Sequence, residues 1–152
     1  MLSGTAELKE LVPIMKELFK EGKTVRLTAQ GSSMLPLLRS GIDAVELTGC
    51  DDPEKLKKRD VPLYERSDGK FVLHRIVKVH DDCFDMCGDN QITVERGVKK
   101  SAVAAKAIGF YSRGKYYPAD GFLQRTYAFL WCAVLPHRFR IYRVLRVFRK
   151  RK

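Results

Sequence analysis

Between Thr24 and Tyr111 apolar residues recur at every second position, in runs of strand length separated by turn-forming residues. The runs are TVRLTAQ (24–30), DAVEL (43–47), VPLYER (61–66), KFVLHRIVKVH (70–80) and VAAKAIGFY (103–111). A period of two puts successive side chains on opposite faces, so this stretch is confined to a β-structure of short strands. Ser67-Asp68-Gly69 predicts a hairpin over 61–80, and Arg113-Gly114-Lys115 a second one ending in Tyr116-Tyr117-Pro118. Gly49-Cys50-Asp51-Asp52-Pro53 marks a further turn.

On either side the period becomes helical. Leu8, Leu11, Val12, Met15, Leu18 and Phe19 form one stripe, with Thr5 as a cap, Glu21-Gly22-Lys23 as the stop and Pro13 as a disturbance in the first turns. Such a helix lies on the core. Downstream, FLQRTYAFLWCAVL (122–135) contains a nine-residue apolar run, Tyr127 to Leu135. A bilayer-spanning helix needs about 20 residues, so this segment cannot cross a membrane alone. The expected fold is mainly β, of the α+β class, with helices at both ends. Residues 1–121 form the body, and 122–152 an apolar and then basic helical tail.

The 152 residues suit one domain with a real core. Of the 29 Lys and Arg, eight fall between His137 and Lys152, where there is no acid. The preceding 136 residues carry 21 basic and 18 acidic groups, a net of +3, so the tail is the basic element. Cys50, Cys83, Cys87 and Cys132 are irregularly spaced, and Lys9, Glu10, Lys16, Glu17 and Lys20 run through what would be a secretory leader. They read as free thiols in a reducing compartment. Cys83 and Cys87 with His80 lack the second pair a zinc site requires, so no metal and no cofactor is expected.

GSSMLPLL (31–38) is the segment that patterning leaves unexplained. A turn accounts for Gly31 and Pro36 but not for Ser33 and Met34. Taken singly, Ser33 is a turn residue and His74 of LHRIV (73–77) a half-buried strand histidine. With CGDNQ (87–91) they form an ordered set: Gly-x-Ser-Met-x-Pro, His-Arg-Ile, Gly-Asp-Asn. This set, over residues 24 to 112, resembles the signal peptidase I superfamily, which includes the self-cleaving SOS-response repressors. The resemblance implies a coiled sheet or partly open barrel. It makes Ser33 the nucleophile and His74 the general base, as in the histidine-using endoplasmic-reticulum and archaeal branch, with Asp89 assisting. Gly31, Ser32 and Ser33 would shape the turn and oxyanion site. Met34, Pro36, Arg75, Gly88 and Asn90 would support the motifs, Arg75 by pairing with a nearby acid. Asp60 stands where relatives often show Gly-Asp, and reads as a turn acid. His80 and His137 read as solvent-facing.

The chemistry suits these residue types. A serine hydroxyl is a poor nucleophile at neutral pH and needs a base that is unprotonated there, which histidine, with a reference pKa of about 6.5, supplies. A carboxylate can hold the imidazole tautomer, and a backbone N–H on a tight turn can receive the oxyanion. The expected activity is that of a serine endopeptidase acting on an extended signal or leader peptide. The alternative is a catalytically inactive β-module that binds peptide or a membrane surface. About 23 residues precede the first strand, too few for the DNA-binding domain of a repressor.

In the tail, Ile141, Val144, Leu145 and Phe148 project to one side of a helix, and Arg140, Arg143, Arg146, Arg149 and Lys150 to the other. This pattern fits a helix in an anionic membrane interface, and equally one covering its own core with arginines in water. Nucleic acid ranks last as a partner, because phosphate contacts would need the same arginines but usually add base-reading or stacking groups. The corresponding location is cytoplasmic or peripheral to a membrane.

Overall fold

The computed structural model describes residues 8–138 and 140–141. Helix α1 (Leu8–Lys20) buries Val12 and Met15, and runs through Pro13, which is exposed and forfeits only its own N–H bond. Its end is a Schellman motif: Gly22 takes φ 73°, and Lys23 N–H reaches Leu18 O at 3.0 Å. The proposed Thr5 cap lies outside the described residues.

Among the described residues nine strands follow: β1 (Val25–Thr28), β2 (Ala44–Gly49), β3 (Pro62–Glu65), β4 (Phe71–Leu73), β5 (Arg75–Val79), β6 (Cys83–Cys87), β7 (Glu95–Lys99), β8 (Val103–Ser112) and β9 (Lys115–Pro118). They form two antiparallel sheets, β1-β2-β8-β3-β4 with β9 also on β8, and β5-β6-β7. Register shifts at Glu46/Leu47 and Leu63/Tyr64 bend the strands against β8. The large sheet is curled into a half-barrel, as expected for a mainly β, α+β fold. Helix α2 (Phe122–Val134) closes the described chain, with a short 3-10 turn at Leu135–His137.

One expectation is corrected. Residues 70–80 are not one strand: the chain breaks at His74, β4 staying beside β3 while β5 joins β6. The break is held by Ile76, whose N–H and C=O bond Asp60 O and Arg59 N–H, each at 2.8 Å, and this draws the chain off the flank of β3. Strands β6 and β7, which alternation does not reveal, complete the second sheet.

The core has two parts. Val12, Met34, Leu38, Leu47, Leu63 and Phe110 fill the space between α1 and the large sheet. Leu56, Tyr64, Ile76, Phe84, Met86 and Val98 fill the small sheet. His74 sits at the seam between them. Among the described residues no helix is long and apolar enough to cross a membrane.

Candidate active site

Ser33 lies in an irregular loop between β1 and β2 that is tied at its base and pinned at its crown. Ala29 N–H and C=O bond Asp43 O and Gly41 N–H, and Gly31 N–H reaches Ser40 Oγ at 3.0 Å. Asp43 takes two bonds from the Arg39 guanidinium and one from its N–H, which together hold its carboxyl well below the usual range despite its burial. Gly31 occupies the positive-φ region at 77°, and the Leu35–Pro36 peptide bond is cis. Met34, Leu37 and Leu38 anchor the crown in the core, while Gly31 and Ser32 are exposed and Ser33 is half-buried. Met34 packs in the core, whereas Pro36 is exposed.

The loop at 88–91 is fastened directly to Ser33. Asn90 N–H donates to Ser33 O at 2.7 Å. Gly88 lies so close beneath that a Cβ there would stand 2.6 Å from Ser33 O. The glycine of Gly-Asp-Asn is therefore a requirement of close approach.

His74 is 4% exposed, and its ring is held by a residue that alternation alone had placed in an ordinary strand. Tyr64 Oη is 3.0 Å from His74 Nδ1 and donates to Glu95 Oε2 at 2.8 Å. Burial, with Glu95 adjacent, pushes the phenol far above its normal range, so Tyr64 keeps its single proton. That proton is committed to Glu95, so the phenol oxygen accepts from Nδ1–H, and Nε2 is the unprotonated nitrogen. Burial lowers the His74 pKa, and the Glu95 carboxylate opposes that shift in part. His74, Glu95, Arg66 and residues 90–93 line a cavity of about 460 Å³.

Asp89, expected to assist His74, hydrogen-bonds to Arg75 instead. The carboxylate is 1% exposed and receives Arg75 Nε at 2.8 Å and Nη2 at 2.7 Å, with Tyr127 Oη at 2.9 Å. The reason is alternation: His74 and Arg75 are consecutive in extended chain and project to opposite sides, so an acid that meets Arg75 does not meet His74. The expected pairing of Arg75 with an acid is present, and Asp89 reaches the imidazole only as a more distant charge. The same loop is clamped by α2 and by the residue after the 3-10 turn: Trp131 Nε1 donates to Asp89 O at 2.7 Å, and buried Arg138 donates to the carbonyls of Asp89 and Gln91 at 2.9 and 3.1 Å.

The 88–91 loop thus touches Ser33 through Asn90 and Gly88, whereas His74 lines its cavity with residues 90–93 and Ser33 is not part of that wall. No hydrogen bond joins Ser33 Oγ to the His74 ring among the described residues. Asp60 closes a turn through Lys57 N–H, His137 is exposed, and His80 pairs with Asp85 at 3.1 Å. All four cysteines are free thiols, and no cluster of metal-ligating side chains occurs among the described residues. Of the tail's basic face, Arg140 is exposed, whereas Arg143, Arg146, Arg149 and Lys150 lie outside the described residues.

Tyr64, Glu95 and Arg138 were not singled out by sequence. The hairpin carries a signal for the first: Tyr64 pairs with Val72, so His74 falls on the same face at the diagonal position. No known protein family, no curated protein and no solved structure matches this chain.

Proposed function

We propose that this protein is a serine endopeptidase of signal-peptidase-like type that cleaves an extended peptide. Ser33 Oγ attacks the scissile carbonyl while His74 Nε2 takes its proton. The acyl-enzyme forms as the peptide C–N bond breaks, and His74 returns the proton to the leaving amine. Water, deprotonated by the same nitrogen, then releases the acyl group. The observation that carries this reading is the His74–Tyr64–Glu95 chain of hydrogen bonds, which leaves Nε2 as the basic nitrogen at a loop fastened to Ser33. Glu95, through Tyr64, stabilises the imidazolium formed during acylation, and Asp89 with Arg75 fixes the loop. Catalytic hydrogen bonds are often absent before substrate binds, and Ser33 Oγ closes on His74 in the substrate complex.

Hydrolysis of an Ala-x-Ala peptide by the wild-type chain and by Ser33→Ala tests this. Cleavage by the first and not by the second is expected; equal rates contradict it. The missing Ser33–His74 hydrogen bond favours a second reading, a peptide-binding β-module without catalysis, for which saturable peptide binding without cleavage is the sign.

A further inference from the structure

The face of α2 turned away from the body is apolar, the reverse of the usual pattern for a helix on a water-facing surface. Phe122 is 82% exposed, Leu123 66%, Leu130 56% and Phe129 55%, and Val134 is exposed beside them. At about 100° per residue they span an arc of about 140° from Phe129 to Val134. Within α2 that arc holds otherwise only Thr126 and Ala133. Tyr127, Ala128 and Trp131 occupy the opposite side, against the body.

One edge of this apolar face is bounded by cations. Lys57, Lys58, Arg59, Lys106 and Arg125 surround a cavity of about 720 Å³ that runs beside α2. Among the described residues none of the five forms an ion pair. Two acids share the wall: Asp60, whose carboxylate is turned to Lys57 N–H, and Asp120. Arg59 holds a left-handed backbone, φ 84°, fixed by its carbonyl's bond to Arg75 Nη1 at 2.9 Å. Its guanidinium lies 5.3 Å from the Phe129 ring, joining the cationic edge to the apolar face. In the same wall Gln124 Oε1 is buried without a partner, an acceptor that a headgroup hydroxyl would satisfy.

We propose that α2 lies in the interface of an anionic membrane, with its outward face among the acyl chains and the Lys57–Arg59 and Arg125 cluster at the headgroup phosphates. A soluble phosphate or a nucleic acid would use the cations but leave the exposed phenylalanines and leucines in water. A second copy of the chain would cover them but would bring the same cations face to face. The inference is independent of the peptidase reading.

The test is co-sedimentation of the full chain with phosphatidylglycerol vesicles and with phosphatidylcholine vesicles, at low and high salt. Binding to the first alone, weakened by salt, is expected. Leu123→Ser/Leu130→Ser is expected to lower partitioning about tenfold or more, since it removes apolar area that would enter the bilayer. Lys58→Glu/Arg125→Glu is expected to lower it as well. All four positions are exposed or line the open cavity, so unchanged far-UV circular dichroism and melting verify the fold. No binding by wild type, unchanged binding in the Leu123/Leu130 variant, or lipid-free dimerisation abolished by that variant would each overturn the proposal.

Discussion

Tyr64 Oη stands 3.0 Å from His74 Nδ1 and gives its only proton to Glu95 at 2.8 Å. The phenol is both a spacer and a tautomer selector. It carries the influence of a carboxylate to an imidazole that the carboxylate does not touch, and it reserves Nε2 for proton transfer.

Removing that phenol oxygen separates orientation from bulk. Tyr64→Phe keeps the ring packed but leaves Nδ1–H and Glu95 without a shared partner. The expected loss in kcat is roughly 10²-fold, within the range of positioned acid–base catalysis, with KM little changed. Steady-state kinetics on the cleaved peptide decides this, and an unchanged kcat would remove Tyr64 from the mechanism.

Acid should weaken both activity and fold through His74. Its pKa is lowered on folding, mainly by burial, so between the folded value and the ordinary value of about 6.5 the unfolded chain binds the extra proton. The contribution is complete above about pH 6.5 and is lost as pH falls below it. Urea midpoints measured across this range should decline in the wild type and decline less in His74→Gln. The acid limb of kcat/KM should likewise lie below the ordinary imidazole range. Asp43, also held low, loses its stabilisation only below the usual carboxylate range, a separate window.

The Gly88→Ala substitution should break the fastening of the two loops. A Cβ placed 2.6 Å from a backbone carbonyl cannot be relieved by a rotamer change. A destabilisation of about 1–3 kcal/mol is expected, together with loss of the Asn90–Ser33 hydrogen bond, visible as faster amide exchange at Asn90.

Cutting one side of the buried Arg75–Asp89 pair should be costly. Arg75→Met leaves a carboxylate uncompensated in a site 1% exposed, and about 3–5 kcal/mol is expected from chemical denaturation. Tyr127 and the α2 clamp would then hold an unpaired charge.

Period-two patterning made the central β-structure legible, and the helical stripe made α1 legible, because each reports on which residues face a core, whereas α2 was legible only as an apolar run, much of which faces away from the body. It failed where burial does not alternate. In β6, CFDMC, four consecutive residues are buried, and β7, ERGVK, is mostly charged around a glycine at φ 71°. The break at His74 was hidden because apolar residues lie close on both sides of it, Phe71 to Leu73 before and Ile76 and Val77 after. Ser33, His74 and Asp89 stood out by motif, and the loops of Ser33 and Asp89 are joined by the Asn90–Ser33 hydrogen bond. The partner of the imidazole stayed concealed because Glu95 belongs to the unread strand β7. Asp89 was misassigned because its alternation-bound partner, Arg75, lies next to the expected one.

The central claim, that Ser33 and His74 act as one unit on a peptide bond, is tested most directly by kcat/KM for peptide cleavage in Ser33→Ala, His74→Ala and the double variant. Each single change is expected to reduce the rate by roughly 10³-fold or more, and the double to fall no further, since residues acting together are lost together. Multiplying losses, or either single variant cleaving at the wild-type rate, would contradict it.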